Sequence, residues 1–342
     1  MKKKMFLALM AFATLAMVGF TSCSKDDPTK VGGDMINPMP SESDIIGTWK
    51  VTNVTKGKTF QEGQILVINA DHTISYYHDY HFYGDWILDK YNFEAQLEGS
   101  AGYRYIFDFN MSLIKGEDHK IKVKGYINFF GYEVLVRFED VQFILEPLTS
   151  LSDIRQAAKD GFDCSKYLGQ YVDASGNLTP NPLNAIGRVA YVSEKPVDVD
   201  ASAAETRILV LALTDVGSFQ WKKTELAGES AYNNPNVMCG LDFCSKYNNE
   251  SYPAAYATYN WDAGRPSGST NWFLPSQAQW NKMLGVAKMD GTGQMSTGRY
   301  WAANESSNAL LTNSAMSYDF ETGSWQEMIK NAELKVRACF AY

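Results

Sequence analysis

Between residues 44 and 147 apolar and polar positions alternate in short runs, and no helical period of useful length interrupts them. Residues 48–52, 65–68, 72–76 and 84–88 carry the two-residue alternation of half-buried strands. Longer segments of the same kind follow at 103–114, 120–130 and 132–145. Asn69-Ala70-Asp71-His72 and Lys115-Gly116-Glu117-Asp118 supply turn chemistry between them. About eight strands in roughly a hundred residues predict a small up-and-down β-barrel.

The pattern changes over residues 148–153. Residues 154–161 read as a short helical connector ending at Gly161, which places a domain boundary near Thr149. Beyond about Tyr167, strands carry one or two helices. Strands are predicted at 185–192 and 207–213, the second apolar enough to be buried on both faces. A helix is predicted over 235–246. Another runs over 274–284, with Ser276 as N-cap, Pro275 at its start and Trp280, Met283 and Leu284 on one face. Strands at 299–303, 314–320, 325–329 and 335–341 complete the chain, with Glu321-Thr322-Gly323-Ser324 as a hairpin turn. The fold class is therefore mainly β, with a barrel over 44–149 and an α+β second domain over 150–342.

The N-terminus follows another logic. Met1-Lys2-Lys3-Lys4 is a basic opening, and Met5 to Val18 is apolar but too short to cross a bilayer comfortably. The run Gly19-Phe20-Thr21-Ser22-Cys23 resembles the lipobox of bacterial lipoproteins. That resemblance implies a signal peptide over 1–22, cleavage before Cys23, and acyl chains on Cys23 that anchor it to a membrane. Residues 23–43 read as a flexible tether. Ser24-Lys25-Asp26-Asp27 resembles the signal that sends some Gram-negative lipoproteins to the outer face of the outer membrane. Surface exposure at the cell outer membrane is the expectation.

Removing residues 1–22 takes three lysines from the 31 basic residues, leaving 28 against 39 acidic ones and a net charge of −11. An acidic chain without a basic run beyond the signal argues against nucleic acid as a partner. The 20 Tyr, 18 Phe and 8 Trp suit β-rich modules and, where exposed, ligand contact. Cys164, Cys239, Cys244 and Cys339 remain after Cys23 is set aside, and both bridges and buried thiols are open. All His residues lie in the N-terminal half, away from those cysteines, so no metal site is expected.

Within the barrel, Ile46-Gly47-Thr48-Trp49 resembles the Gly-x-Trp start of lipocalins, in particular the short bacterial lipocalin-like domains. The resemblance implies that Trp49 closes the barrel floor. The cluster around Tyr76, Tyr77, His78, Tyr80, His81, Phe82 and Tyr83 has two readings. Tyr76, His78, Tyr80 and His81 are candidates for a barrel mouth that takes a small ligand. Alternatively the cluster is an exposed aromatic hairpin packed on the neighbouring domain.

In the second domain, Asn271-Trp272-Phe273-Leu274-Pro275-Ser276 comes first, then Tyr300-Trp301-Ala302-Ala303-Asn304-Glu305. Tyr318-Asp319-Phe320 and Val336-Arg337-Ala338-Cys339 follow in order. Together they resemble the Lcl carboxyl-terminal domain family, a variant of the C-type-lectin fold. On that basis Trp272 and Trp301 are core residues, and Glu305 and Arg337 form one buried pair at the end of the sheet. The Glu-Pro-Asn, Gln-Pro-Asp and Trp-Asn-Asp signatures of calcium-dependent lectins are absent, and acidic residues never reach calcium-loop spacing. Residues 252–265 mix rings with polar side chains among Gly and Ala. Tyr256, Tyr259, Asn260, Trp261, Asp262 and Arg265 are the candidate ligand contacts.

Neither a phosphate loop nor Gly-x-Ser-x-Gly nor His-Glu-x-x-His occurs, and the second domain contains no His. No catalytic residue and no cofactor is expected. The reading is a surface-anchored, non-catalytic binding or adhesion module for glycan or protein ligands. A small-ligand carrier acting through the barrel, or a structural subunit of a surface complex, are the alternatives.

Overall fold

The computed structural model describes residues 40–78, 80–89, 92–99, 103–114, 116, 119–131, 134–203, 205–224, 232–308 and 310–342. The expected signal peptide over 1–22, the expected lipid attachment residue Cys23, Ser24 to Asp27 and most of the expected tether lie outside the described residues. The last part of that tether is ordered: helix α1, Glu42–Ile45, opens at Ser41, which accepts the Asp44 N–H while Asp44 accepts the Ser41 N–H. Ile45 is buried, and its carbonyl accepts the Trp49 indole N–H at 2.7 Å. Trp49 is thereby pinned under the barrel.

The barrel strands are β1 (Gly47–Lys56), β2 (Ile65–Ile68), β3 (Thr73–His78), β4 (Tyr80–Asp89), β5 (Asn92–Glu98), β6 (Tyr103–Leu113), β7 (Ile121–Gly131) and β8 (Val134–Pro147). Each pairs antiparallel with the next, and β8 closes onto β1 through Trp49 opposite Pro147. The alternation that predicted the strands also sorts their side chains. In β5, Phe93, Ala95 and Leu97 are buried while their neighbours are half exposed.

The barrel interior is packed. Phe60, on the β1–β2 connection, reaches inward to Phe143 at 4.4 Å, Tyr76 at 4.9 Å and Phe107 at 5.5 Å between ring centroids. Its connection is held by Glu139, which accepts the Thr59 N–H at 3.0 Å and the Thr59 hydroxyl at 2.7 Å. Tyr76 corrects an expectation. It is wholly buried, donates to the Thr59 carbonyl at 2.9 Å, and belongs to the core rather than to a mouth. Burial pushes its phenol well above the ordinary tyrosine pKa.

After β8, helix α2 (Leu151–Lys159) is capped by Ser150 and buries Leu151, Ile154, Ala157 and Ala158. The following elements are β9 (Tyr171–Asp173), β10 (Leu178–Thr179), β11 (Ala185–Val192), β12 (Ile208–Ala212), β13 (Gly217–Gln220), α3 (Gly240–Lys246), α4 (Pro253–Tyr259) and α5 (Gln277–Ala287). Strands β14 (Arg299–Glu305), β15 (Ser314–Asp319), β16 (Ser324–Ile329), β17 (Glu333–Val336) and β18 (Cys339–Ala341) end the chain. They make two five-stranded sheets, ordered β10-β9-β11-β12-β18 and β13-β17-β14-β15-β16. Strand β12 is buried along its whole length, as its apolar run predicts.

Several expectations need correcting. The helix predicted over 235–246 starts only at Gly240. Pro275 precedes the N-cap rather than occupying the first helical turn; Ser276 caps α5 in a reciprocal pair with Gln279. The final strand is two strands in different sheets, and Arg337 sits at the break. Its guanidinium donates to the carbonyls of Ala212 and Gly293 and to Asp215, so the crossover is tied to the end of β12, to the β12–β13 connection and to the loop after α5.

Barrel and second half belong to one compact unit. Ile65 of the barrel shares a hydrophobic cluster with Leu148, Leu151, Ile154 and Trp272. Lys50 on β1 meets Asp153 on α2 at 2.7 Å. No helix among the described residues is long and apolar enough to cross a membrane.

Candidate functional site

The aromatic run at β3–β4 places its rings on two sides of the barrel wall. Tyr76 and Phe82 point in and are buried. His81 and Tyr83 point out, stacked with centroids 5.5 Å apart and planes 17° from parallel. His81 also meets Tyr77 at 5.1 Å and Phe162 edge-on at 5.3 Å. The hairpin therefore packs on the second half of the chain, and His81 does not line a barrel mouth. His78 and Tyr80 lie on β3 and β4, but their side chains fall outside the described residues.

Phe162 comes from the segment after α2, and its approach depends on Gly161. That glycine has φ +78°, and a Cβ there would stand 3.0 Å from His81 Nε2. The left-handed turn and the close approach both favour glycine. His81 Nδ1 is buried without a hydrogen-bond partner.

Between this segment and the barrel wall lies a cleft of about 480 Å³. Its walls come from β1 to β4 on one side and residues 161–166 on the other, and they include Tyr83, Asn69, Ser75, Asp163 and Lys166. Tyr83 is 60 % exposed, lines the cleft and stacks on His81. Asp163 is turned toward its own backbone, accepting the Ser165 N–H at 2.8 Å and the Ser165 hydroxyl at 3.0 Å. Lys166 holds its ammonium 5.1 Å over the Tyr167 ring; desolvation by the surrounding protein lowers its pKa although the side chain reaches solvent. A second cleft of about 510 Å³ lies on the far side of the same segment, bordered by Tyr191, Ser193, Glu194, Lys195 and Asp198.

Residues 252–265 are not the open excursion that their composition suggests. They contain helix α4, and Tyr252 is buried against Trp221, Phe243 and Tyr247. Tyr259 is half-buried against the core, and Trp261 packs on Trp272 at 5.0 Å. Tyr256, Asn260, Asp262 and Arg265 are exposed. Asn260 donates to Asn248 and Arg265 to Asn271, both at 2.6 Å. Two of the rings proposed for ligand contact are thus committed to packing, and the exposed polar groups partly to each other.

Trp272 and Trp301 are buried, their indole N–H groups donating to Gly264 at 3.0 Å and Phe219 at 2.8 Å. Glu305 and Arg337 do not pair. Glu305 meets Lys330, whose ammonium is fully buried, also donates to Thr312 at 2.7 Å and lies 5.3 Å over Trp221. Arg337 pairs with Asp215 at 2.7 Å.

Cys164, Cys239, Cys244 and Cys339 are free and buried. Desolvation pushes the thiols of Cys164, Cys239 and Cys244 up to about 12, so they stay protonated and unreactive at neutral pH. Among the described residues no group of His, Cys, Asp or Glu is arranged to hold a metal ion. Sequence reasoning named Tyr83 only as part of the aromatic cluster and did not single out Asn69, Ser75 and Lys166, which line the cleft with it. The usable signal was the glycine at the helix end followed by an aromatic residue, Gly161-Phe162. Compared with known proteins, the chain matches no family model, no curated protein and no solved structure.

Proposed function

We propose that this protein is a non-catalytic binding lipoprotein of the bacterial outer membrane, displayed at the cell surface through Cys23. Its barrel is lipocalin-like and its second half C-type-lectin-like, and it recognises saccharide in the cleft beside Tyr83. The lectin-like reading is supported by the landmarks sharing one framework: Phe273 bridges to Cys339, Ala303 donates to the Pro275 carbonyl at 2.9 Å, and Tyr300 pairs with Tyr318. The observation that carries the ligand class is the exposed Tyr83 ring, backed by His81 and bordered by Asn69, Asp163 and Lys166. A flat apolar face beside hydroxyl-binding groups suits a sugar ring. The packed barrel interior favours this outer cleft over carriage of a ligand inside the barrel.

The test is a glycan array followed by titration calorimetry on the best hit. Tyr83→Ala is expected to weaken binding at least tenfold, about 1.4 kcal/mol, with an unchanged melting curve, while Tyr256→Ala leaves it alone. Loss with Tyr256→Ala and not with Tyr83→Ala would move the site to the α4 surface. An array without any hit removes saccharide as the ligand.

A further inference from the structure

The end of the β7–β8 hairpin is apolar on both of its faces. Val134, Leu135 and Val136 are 65, 51 and 61 % exposed, and alternate residues of a strand point to opposite sides. Phe138, 59 % exposed, stacks on Tyr126 at 5.2 Å just behind them. Arg104 and Arg137 lie over Phe130 and Phe129 at 5.0 and 5.7 Å. Pairing with β1 reaches no further along β8 than Gln142, so among the described residues no strand flanks 134–138 opposite β7.

A partner docking on one face would leave the other face in water. Immersion covers both. The layering also fits an interface: aliphatic side chains at the end, then rings and arginines whose stems and planes tolerate the headgroup boundary.

Chain length permits it. Pro40 follows Cys23 by 17 positions, at most about 60 Å of extended chain. Gly47 opens β1 at the barrel end opposite to this hairpin end, and the eleven residues of β7 span roughly 37 Å. A tether rooted in the membrane can therefore let the hairpin end reach the same surface.

We infer that residues 134–138, with Tyr126, are a second membrane contact: a shallow insertion into the headgroup and upper acyl region of the bilayer that carries the anchor. The inference rests on the lipoprotein reading for its location, not for its chemistry. It is tested on the complete chain after residue 22 carrying Cys23→Ser, so that no acyl chain contributes. Phosphatidylethanolamine–phosphatidylglycerol vesicles are the probe.

The chain is expected to float with the vesicles. Leu135→Trp should shift its emission to the blue on vesicle addition and be quenched by brominated acyl chains. Leu135→Asp with Val136→Asp should lower the vesicle-bound fraction tenfold or more, as expected for lost apolar burial, with the melting curve unchanged. An emission that ignores vesicles, undiminished flotation of the double variant, or a blue shift that follows protein concentration without lipid would each overturn the inference. The last would indicate a second copy. Mass spectrometry of the Cys23 peptide from cells tests the anchor separately, so the two readings can fail independently.

Discussion

At the scale of single residues, the buried Lys330–Glu305 pair has the clearest energetic consequence. Lys330 is fully buried, and its charge is met by one carboxylate, one carbonyl and the face of Trp221. Removing one partner of a buried pair strands the other, a cost of about 3–5 kcal/mol. Glu305→Ala should therefore lower the stability by about that amount in denaturant unfolding, whereas Glu305→Leu with Lys330→Met should recover most of it. A single variant within about 1 kcal/mol of the parent chain would mean that water reaches the ammonium. The sequence reading paired Glu305 with Arg337, whereas the structure gives Lys330 to Glu305 and Asp215 to Arg337. Both sit near strand ends, and the partner of each was decided by the break between β17 and β18, which the uninterrupted pattern of 335–341 does not betray. Trp49, Trp272 and Trp301 were legible as core because large rings on alternating or helix-flanking positions have few other places to go.

At the scale of elements, local chemistry carried most of the prediction. The barrel strands, the Ser276 cap and the 321–324 turn follow from residues close together in sequence. The turn shows why: Asp319 accepts the backbone N–H groups of Glu321 and Thr322 at 2.9 and 3.2 Å, and Gly323 takes φ +69°. These backbone bonds, the Thr322 one foremost, and Arg299 at 3.0 Å hold the Asp319 carboxyl below the usual aspartate range. A carboxyl whose folded pKa is depressed stabilises the fold above its unfolded value of about 3.9, and that contribution disappears as pH falls through the folded pKa. The stability difference between the parent chain and Asp319→Asn should be present at pH 7 and close below about pH 4. A difference that stays constant with pH would refute the assignment. Helix α4 was not legible in the same way, because Tyr252-Pro253-Ala254-Ala255 looks like loop composition until Pro253 is recognised as a first-turn residue.

At the scale of the whole molecule, the domain boundary near Thr149 marks a change of architecture within one packed body. Ile65, from the barrel, joins the cluster that contains Leu151, Ile154, Val172 and Trp272. The Tyr83 cleft takes its walls from both sides of that junction, so its width depends on the junction staying closed. A shared apolar cluster couples the unfolding of its contributors, whereas halves touching only through polar surface melt apart. Calorimetry on the chain after residue 22 should accordingly give one transition whose van't Hoff and calorimetric enthalpies agree. Ile154→Ala, emptying the centre of the cluster, should cost about 2–5 kcal/mol and move that single transition downward without splitting it. Tyr83→Ala, on the exposed cleft wall, should leave it in place. A barrel transition that stays put while the second half melts earlier in Ile154→Ala would show that the two halves fold separately. The cleft would then be a gap between neighbours, free to open, rather than a site of fixed shape.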